Sequence, residues 1–294
     1  MSWNLSLHIG VNTVDYKAYG STKHAELRGC VKDAWDMRNL AERNGYHVMA
    51  VLENSQATFE AVEDWIYRAV VKLKYGGTFL LTFSGHGARM GAIRGESDLY
   101  DEGFVLYDLV MKDNYLDVML RMFNPGSRVI IVADCCHSET IYGFNRARPR
   151  IAGKEDRNTQ REECRGNKRL DREVTIRHQG IQHDMYEILD KWYRNELAHT
   201  HGAIMADGVV LSACRDNQQA MDGPGNGVFT YWLLNTLRNG GNPPGTRFKG
   251  TYRELIRKVG SRISGNQEPQ CTMLGPNAGH MGHPFFQGPP FLIM

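Results

Sequence analysis

Two stretches, Thr78-Phe-Leu-Leu-Thr-Phe-Ser-Gly-His86-Gly87 and Arg128-Val-Ile-Ile-Val-Ala-Asp134-Cys135-Cys136-His137-Ser138, decide the fold. Each begins as an unbroken run of β-branched, leucine and aromatic residues, the pattern of a strand buried on both faces. Each then stops in small or reactive residues. In an open parallel sheet the carboxyl ends of neighbouring strands share one edge, and loops build sites there. If the two runs are neighbours, His86 meets the paired cysteines: an imidazole base beside a thiol, the minimum for covalent catalysis. Gly85 and Gly87 leave the backbone around His86 free to turn, let a substrate come close and free the Gly87 amide to face it. Side-chain alternation sends Cys135 and Cys136 to opposite faces, so only one of them serves as a nucleophile.

The flanking sequence supplies the rest of a sheet. Leu5 to Val11 reads as a strand, and Ala25 to Glu42 as a helix carrying Leu27, Val31, Trp35, Met37 and Leu40. His47 to Leu52 is a second strand. Thr58 to Leu73 sets Phe59, Val62, Ile66, Val70 and Leu73 on one helical stripe, stopped by Gly76-Gly77. Strand, helix, strand, helix, strand predicts a parallel sheet with right-handed crossovers. Phe104 to Tyr107 is short and extended, part of a β-hairpin or excursion above the site, and Tyr115 to Phe123 is helical. Further on, 184–197, 227–237 and 252–263 are helical and 208–214 is a buried strand. From Gln267 the chain is rich in Gly and Pro, with one edge strand. The expected fold class is α/β, a mostly parallel central sheet flanked by helices.

Between these blocks lies a different composition. Eleven basic residues (Arg146, Arg148, Arg150, Lys154, Arg157, Arg161, Arg165, Lys168, Arg169, Arg172 and Arg177) face six acids, with few apolar residues among them. A long stretch without hydrophobic period inside a compact domain reads as a functional loop or linker. The expected organisation is a large part, 1–140, a flexible basic linker, 141–183, and a small part, 184–294, together forming one domain.

Bulk composition excludes several classes. A formal net charge of +2 gives no reason to expect a nucleic-acid or membrane surface. Six cysteines (Cys30, Cys135, Cys136, Cys164, Cys214 and Cys271) show no CxxC pair, which suits a reducing compartment. The first residues lack a basic segment and a long apolar run, so a cytoplasmic location is expected. A zinc site is disfavoured because adjacent cysteines cannot readily both face one tetrahedral ion. A nucleotide-binding module lacks its Gly-rich loop after the first strand.

The interval of 50 residues from His86 to Cys136 matches that between base and nucleophile in caspases, although their QACxG pentapeptide is absent. Asp-Cys-Cys-His-Ser behind a Ser-Gly-His-Gly strand instead resembles metacaspases and bacterial orthocaspases, in the caspase-like clan of cysteine peptidases. Leu27-Arg-Gly-Cys30-Val-Lys-Asp33 is similar to that family's first-helix motif. Val210-Leu-Ser-Ala-Cys-Arg-Asp-Asn-Gln218 with Gly227-Val-Phe-Thr230 is similar to its small-subunit motif. The resemblance covers roughly residues 5 to 240.

It implies a caspase-like fold and a Cys-His dyad of Cys136 and His86, with the amides of Gly87 and Cys136 as oxyanion donors. It also implies a pocket for the substrate residue before the cut, formed by Asp33, Asp134, Cys30 and Ser84. Two carboxylates at the floor of one pocket favour a cation, and a guanidinium adds bidentate pairing. Cleavage of protein substrates after Arg or Lys is therefore expected. An enzyme of that specificity carrying eleven basic residues after its nucleophile suggests a zymogen, processed by itself or by an upstream protease within 146–177. Calcium is a further implication, with Asp98, Asp101, Glu102, Asp113 and Asn114 as oxygen donors. The chain departs from the family here: Glu139-Thr-Ile-Tyr-Gly-Phe carries no Asp, residue 114 is Asn, and Glu139 replaces a Gly. A catalytically inactive scaffold is the competing reading; retention of both Cys136 and His86 argues against it.

Overall fold

The computed structural model describes residues 3–20, 26–74, 76–91, 100–136, 168–200, 202–215, 218–223 and 225–276. Strands β1 (Trp3–Gly10), β2 (His47–Glu53), β3 (Gly77–Ser84) and β7 (Ser127–Asp134) join β8 (Asp207–Ser212) and β9 (Gln270–Leu274) in one sheet of order β2-β1-β3-β7-β8-β9. All neighbours run parallel except β9, which closes the edge antiparallel to β8. A separate antiparallel sheet, β4 (Gly87–Gly91), β5 (Tyr100–Val105) and β6 (Val110–Lys112), forms the excursion after His86. The β-hairpin or excursion expected here is thus a three-stranded antiparallel sheet. The predicted large and small parts thus share one sheet across the β7–β8 pair.

Helices cover both faces, so β3 and β7 are buried along their whole length and apolar at their centres. Alternate residues Phe79, Leu81 and Phe83 join Val129, Ile131 and Ala133 in a core with α2 (Phe59–Lys72), α3 (Asp113–Arg121) and α5 (His183–His199). The intervening Leu80, Ile130 and Val132 face α1 (Cys30–Arg43), α6 (Val228–Asn239) and α7 (Tyr252–Gly260). In α2 the stripe Phe59, Val62 and Ile66 is buried behind a Thr58 N-cap that accepts from Ala61 N. Each large side chain so buried contributes about 1.5–3 kcal/mol relative to leaving it in water.

Two boundaries differ from the sequence reading. Helix α1 starts at Cys30 rather than Ala25, because the amides before and at its start have distant partners. Arg28 N and Gly29 N donate to Asp222, and Cys30 N and Val31 N donate to the Asn12 side chain. Trp35 lies outside the core and donates to Glu53. The flexible linker expected over 141–183 is not flexible at its end: from Lys168 the chain is ordered, and Arg172–Ile181 forms α4. Asp171 caps α4 through Glu173 N, and His178 stacks on Tyr19 at 3.9 Å while bonding Ala18 O and Tyr186 Oη.

His8 is a buried polar residue of β1, in hydrogen-bond contact with Thr82 Oγ1 at 2.9 Å and Ser6 Oγ at 3.0 Å. Burial, aided by the Arg38 charge, lowers its pKa to about 3. The unfolded chain takes this proton near pH 6.5 and the folded chain resists it, so stability falls as pH drops through that window. Replacing His8 with Gln is expected to flatten the acid limb by about 1.4 kcal/mol per pH unit between pH 6 and 4, in urea melts. Equal slopes for the two proteins would rule out this role. His178, lowered by burial to about 4, adds a second such proton in both.

Candidate active site

Strands β3 and β7 end in register, Ser84 paired with Asp134, and so release their chains at one edge. Cys135 enters the core cluster with Phe83 and Ala133, whereas Cys136 enters the opposite cluster with Ile130 and Val132. The alternation expected of the pair is observed. Gly87 packs so tightly on Cys136 that a Cβ there would lie 1.8 Å from the Cys136 carbonyl oxygen. Only glycine fits. His86 is buried, its carbonyl anchored by Val105 N at 3.0 Å, and the glycine that follows it is held against the Cys136 backbone.

The acidic pocket is built and filled. Asp33 of α1, Ser84 at the end of β3 and Asp134 at the end of β7 converge on the ammonium of Lys168. Its Nζ lies 2.9 Å from Ser84 Oγ, 3.0 Å from Asp134 Oδ1 and 3.3 Å from Asp33 Oδ2. Lys168 is fully buried. The carboxylates are fixed from behind. Asp33 accepts from Ser84 Oγ (2.7 Å), Gly227 N (3.0 Å) and Asn226 Nδ2 (2.9 Å), and Asp134 Oδ2 accepts from Thr230 N and Oγ1. Gly227 is a wall of the pocket: a Cβ there would stand 2.3 Å from Lys168 Nζ and 2.4 Å from Asp134 Oδ2.

The Lys168 main chain is bound as well. Its carbonyl accepts from Gly87 N at 2.8 Å and from Cys136 N at 3.4 Å. Its amide donates to Ala220 O at 2.9 Å, and two residues on Leu170 N donates to Gly87 O at 2.9 Å. Arg169 and Gly87 form a one-residue parallel bridge between these bonds. The carbonyl preceding the Lys168–Arg169 bond therefore sits on the two amides expected to serve as oxyanion donors.

Charges in the site answer one another. Burial alone would push the Lys168 ammonium down, but the Asp134 and Asp33 carboxylates hold its pKa well above the ordinary lysine value. Asp33 is pushed up to about 6, chiefly by burial, against the pull of Lys168. Cys30 lines the pocket without ionising: burial raises it to about 12. Cys136 is lowered by a hydrogen bond from the Cys214 thiol, which outweighs burial, with help from the Ala220 amide, Lys168 and Arg169. Ala220 N lies 3.2 Å from its sulfur. Cys135 goes the other way, held protonated by burial.

The calcium donors have other employment. Asp101 Oδ1 accepts from Asn114 Nδ2 at 3.1 Å, while Oδ2 faces Lys112 Nζ at 3.5 Å. Lys112 is itself buried, with Asp190 at 3.1 Å and the Tyr115 and Tyr186 rings beside it. Asp113 accepts from Asn114 N, and Glu102 faces Arg89 at 4.0 Å. Among the described residues no group of three or more His, Cys, Asp or Glu could hold a metal ion. These residues do not fit a calcium cage, because an ammonium already answers Asp101. Asp98 lies outside the described residues.

Of the basic residues picked out between 146 and 177, Arg146, Arg148, Arg150, Lys154, Arg157, Arg161 and Arg165 also lie outside them. Arg172 and Arg177 belong to α4, and Arg169 is exposed beside the site. The sequence marked Lys168 as one basic residue among eleven; its individual role was unreadable. Asn226, Ala220 and Asp222 were missed, although the first two lie in or beside the small-subunit motif. No helix among the described residues is long and apolar enough to cross a membrane.

The caspase-domain family model of C14 peptidases matches residues 8–277. Metacaspase-4 of Arabidopsis thaliana is 34% identical over 142 residues, 44% of this chain and 32% of the relative. Metacaspase-1B of Aspergillus oryzae is 25% identical over 305 residues, covering 92% of this chain and 68% of the relative. The match therefore spans about a third of the plant relative's length and two thirds of the fungal one's. The crystal structure of protein GSU0716 from Geobacter sulfurreducens superposes with a TM-score of 0.76 at 28% identity, covering 97% of this chain and 98% of that one. With the domain model spanning nearly the whole sheet, the chain belongs to the caspase-domain family of cysteine peptidases.

Proposed function

We propose that the chain is a cysteine endopeptidase that cuts after Lys or Arg, with Cys136 and His86 as its dyad, and that it processes itself between Lys168 and Arg169. The Cys136 thiolate attacks the scissile carbonyl carbon, and the oxygen takes the charge against the amides of Gly87 and Cys136. His86 protonates the leaving amine, freeing the downstream chain, and then takes a proton from the water that hydrolyses the thioester. The substrate's basic side chain pairs with Asp134 and Asp33, each already oriented by backbone donors.

One observation carries this reading: Lys168 has its ammonium between both carboxylates and its carbonyl on both amides, the pose a substrate would adopt. The test is intact-mass and amino-terminal analysis of purified protein. A fragment beginning at Arg169 is expected from the wild type, and none from Cys136→Ala. Fragmentation shared by both proteins would assign the cut to a separate protease and reject self-processing. The processed wild type is expected to release fluorophore from Arg- and Lys-terminated peptides and not from Asp-terminated ones. The reverse preference would reject the specificity.

A further inference from the structure

The chain just past the Lys168–Arg169 bond is held as closely as the bond itself. Strand β4 stands at one edge of its sheet, antiparallel to β5 on one side, and its other side takes the segment 168–170. That segment runs parallel to β4. Gly87 N donates to Lys168 O at 2.8 Å, and Gly87 O accepts from Leu170 N at 2.9 Å. These are the two bonds of one parallel bridge centred on Arg169. A single residue of β4 thus brackets the bond, its amide on the carbonyl before it and its carbonyl on the second amide after it. The pairing stops there because Asp171 caps α4, through Glu173 N, and the helix begins at Arg172.

An extended chain sends successive side chains to opposite sides. Lys168 is buried, Arg169 is exposed and Leu170 is buried again, 5% exposed. Leu170 belongs to the core cluster that also holds Ala88 and Met90 of β4 and Phe104 of β5. The segment therefore fills two places of opposite chemistry. The residue before the bond enters an acidic place, and the second residue after it enters an apolar one. A carboxylate put into the apolar place would lose its water with no cation to answer it, and a glycine would leave the place unfilled.

We propose that the peptidase selects its substrates after the cut as well as before it: the second residue past the scissile bond is a large apolar one, received where Leu170 lies, with its amide donating to Gly87 O. This rests on the reading that the Lys168–Arg169 bond is posed as a substrate. It names the class of segment that is cut: extended chain with a basic residue, then a variable exposed one, then an aliphatic one. After self-processing only Arg169 and Leu170, ahead of the Asp171 cap, have to leave β4 for another chain to take their place.

The test varies the substrate and leaves the protein unaltered. Processed wild type is given internally quenched peptides containing a Lys-Ala bond to be cut, followed by Leu, Gly or Asp. The kcat/KM for Leu is expected to exceed that for Gly by about ten- to a hundredfold, the worth of burying one large aliphatic side chain, and Asp is expected to fall below Gly. Replacing the N–H of that Leu with an ester oxygen is expected to cost about three- to tenfold more. Equal rates for Leu, Gly and Asp would overturn the proposal, and an ester cut as fast as the amide would remove the Gly87 contact from it. Lys- and Arg-terminated peptides whose fluorophore directly follows the cut place nothing beside Leu170's position, so they read the dyad and the acidic pocket alone. If these are cut and no longer peptide is, the site past the cut is refuted by itself. If these too stay uncut, the underlying peptidase reading falls and the proposal with it.

Discussion

Asp134→Asn is expected to cut kcat/KM on Arg- and Lys-terminated peptides by two to three orders of magnitude, with a much smaller effect on alkylation of Cys136. Asp134 is buried, and its two oxygens do different work: Oδ1 faces the ammonium at 3.0 Å, and Oδ2 accepts from Thr230 N and Oγ1. The amide cannot serve both. If its oxygen stays on Thr230, its NH2 turns towards the incoming cation, donor against donor. Asp33 alone then compensates the charge, and it is already pushed up to about 6 by burial, so it carries a proton more readily than an exposed carboxylate. Breaking one partner of a buried pair costs about 3–5 kcal/mol, which is the expected range. Steady-state kinetics with matched Arg and Lys fluorogenic peptides measure it. A loss smaller than threefold would show that the pocket takes its specificity from elsewhere.

Lys168→Met tests the same pocket from the other side. The side chain keeps its length and loses its charge, so the fragment beginning at Arg169 is expected to disappear. A second effect follows in the uncut chain. Without the ammonium, Asp33 and Asp134 face each other with no counter-ion, and one of them must hold a proton. Asp33 keeps its proton to about pH 6 even with Lys168 present, against 3.8 for an ordinary aspartate. The folded chain thus binds an extra proton between these values, and this contribution to stability declines as pH rises through them. Losing Lys168 extends the decline to higher pH. Measured in a Cys136→Ala background, so that both proteins stay uncut, Lys168→Met should lose about 3 kcal/mol at pH 8 and distinctly less at pH 5. Equal losses at the two values would mean that the ammonium does not balance these carboxylates.

Much of this was readable without coordinates. Mostly apolar runs at 78–84 and 128–134 required strands covered on both faces, and abrupt endings in Gly-His-Gly and Asp-Cys-Cys marked the shared edge where both strands release their chains. Period-two alternation separated Cys135 from Cys136 correctly, because pleating is local geometry. Asp33 was harder: on its own it is an acid in the first turn of a helix, and only the resemblance joined it to Asp134. The start of α1 was misplaced because its capping groups, Asn12 and Asp222, lie 18 and 193 residues away in the chain.

The amino-acid sequence by itself determined the layered α/β fold and which residues stand at its reactive edge, since both follow from hydrophobic period and from chemistry carried by neighbouring residues. Tertiary structure alone decided that Lys168, among eleven similar cations, fills the acidic pocket, and that the Ala220 amide points at the Cys136 sulfur. Such contacts depend on where distant segments return in space, and a desolvated ion pair is selected by three-dimensional fit and complementary charge, neither of which leaves a periodic mark along the chain.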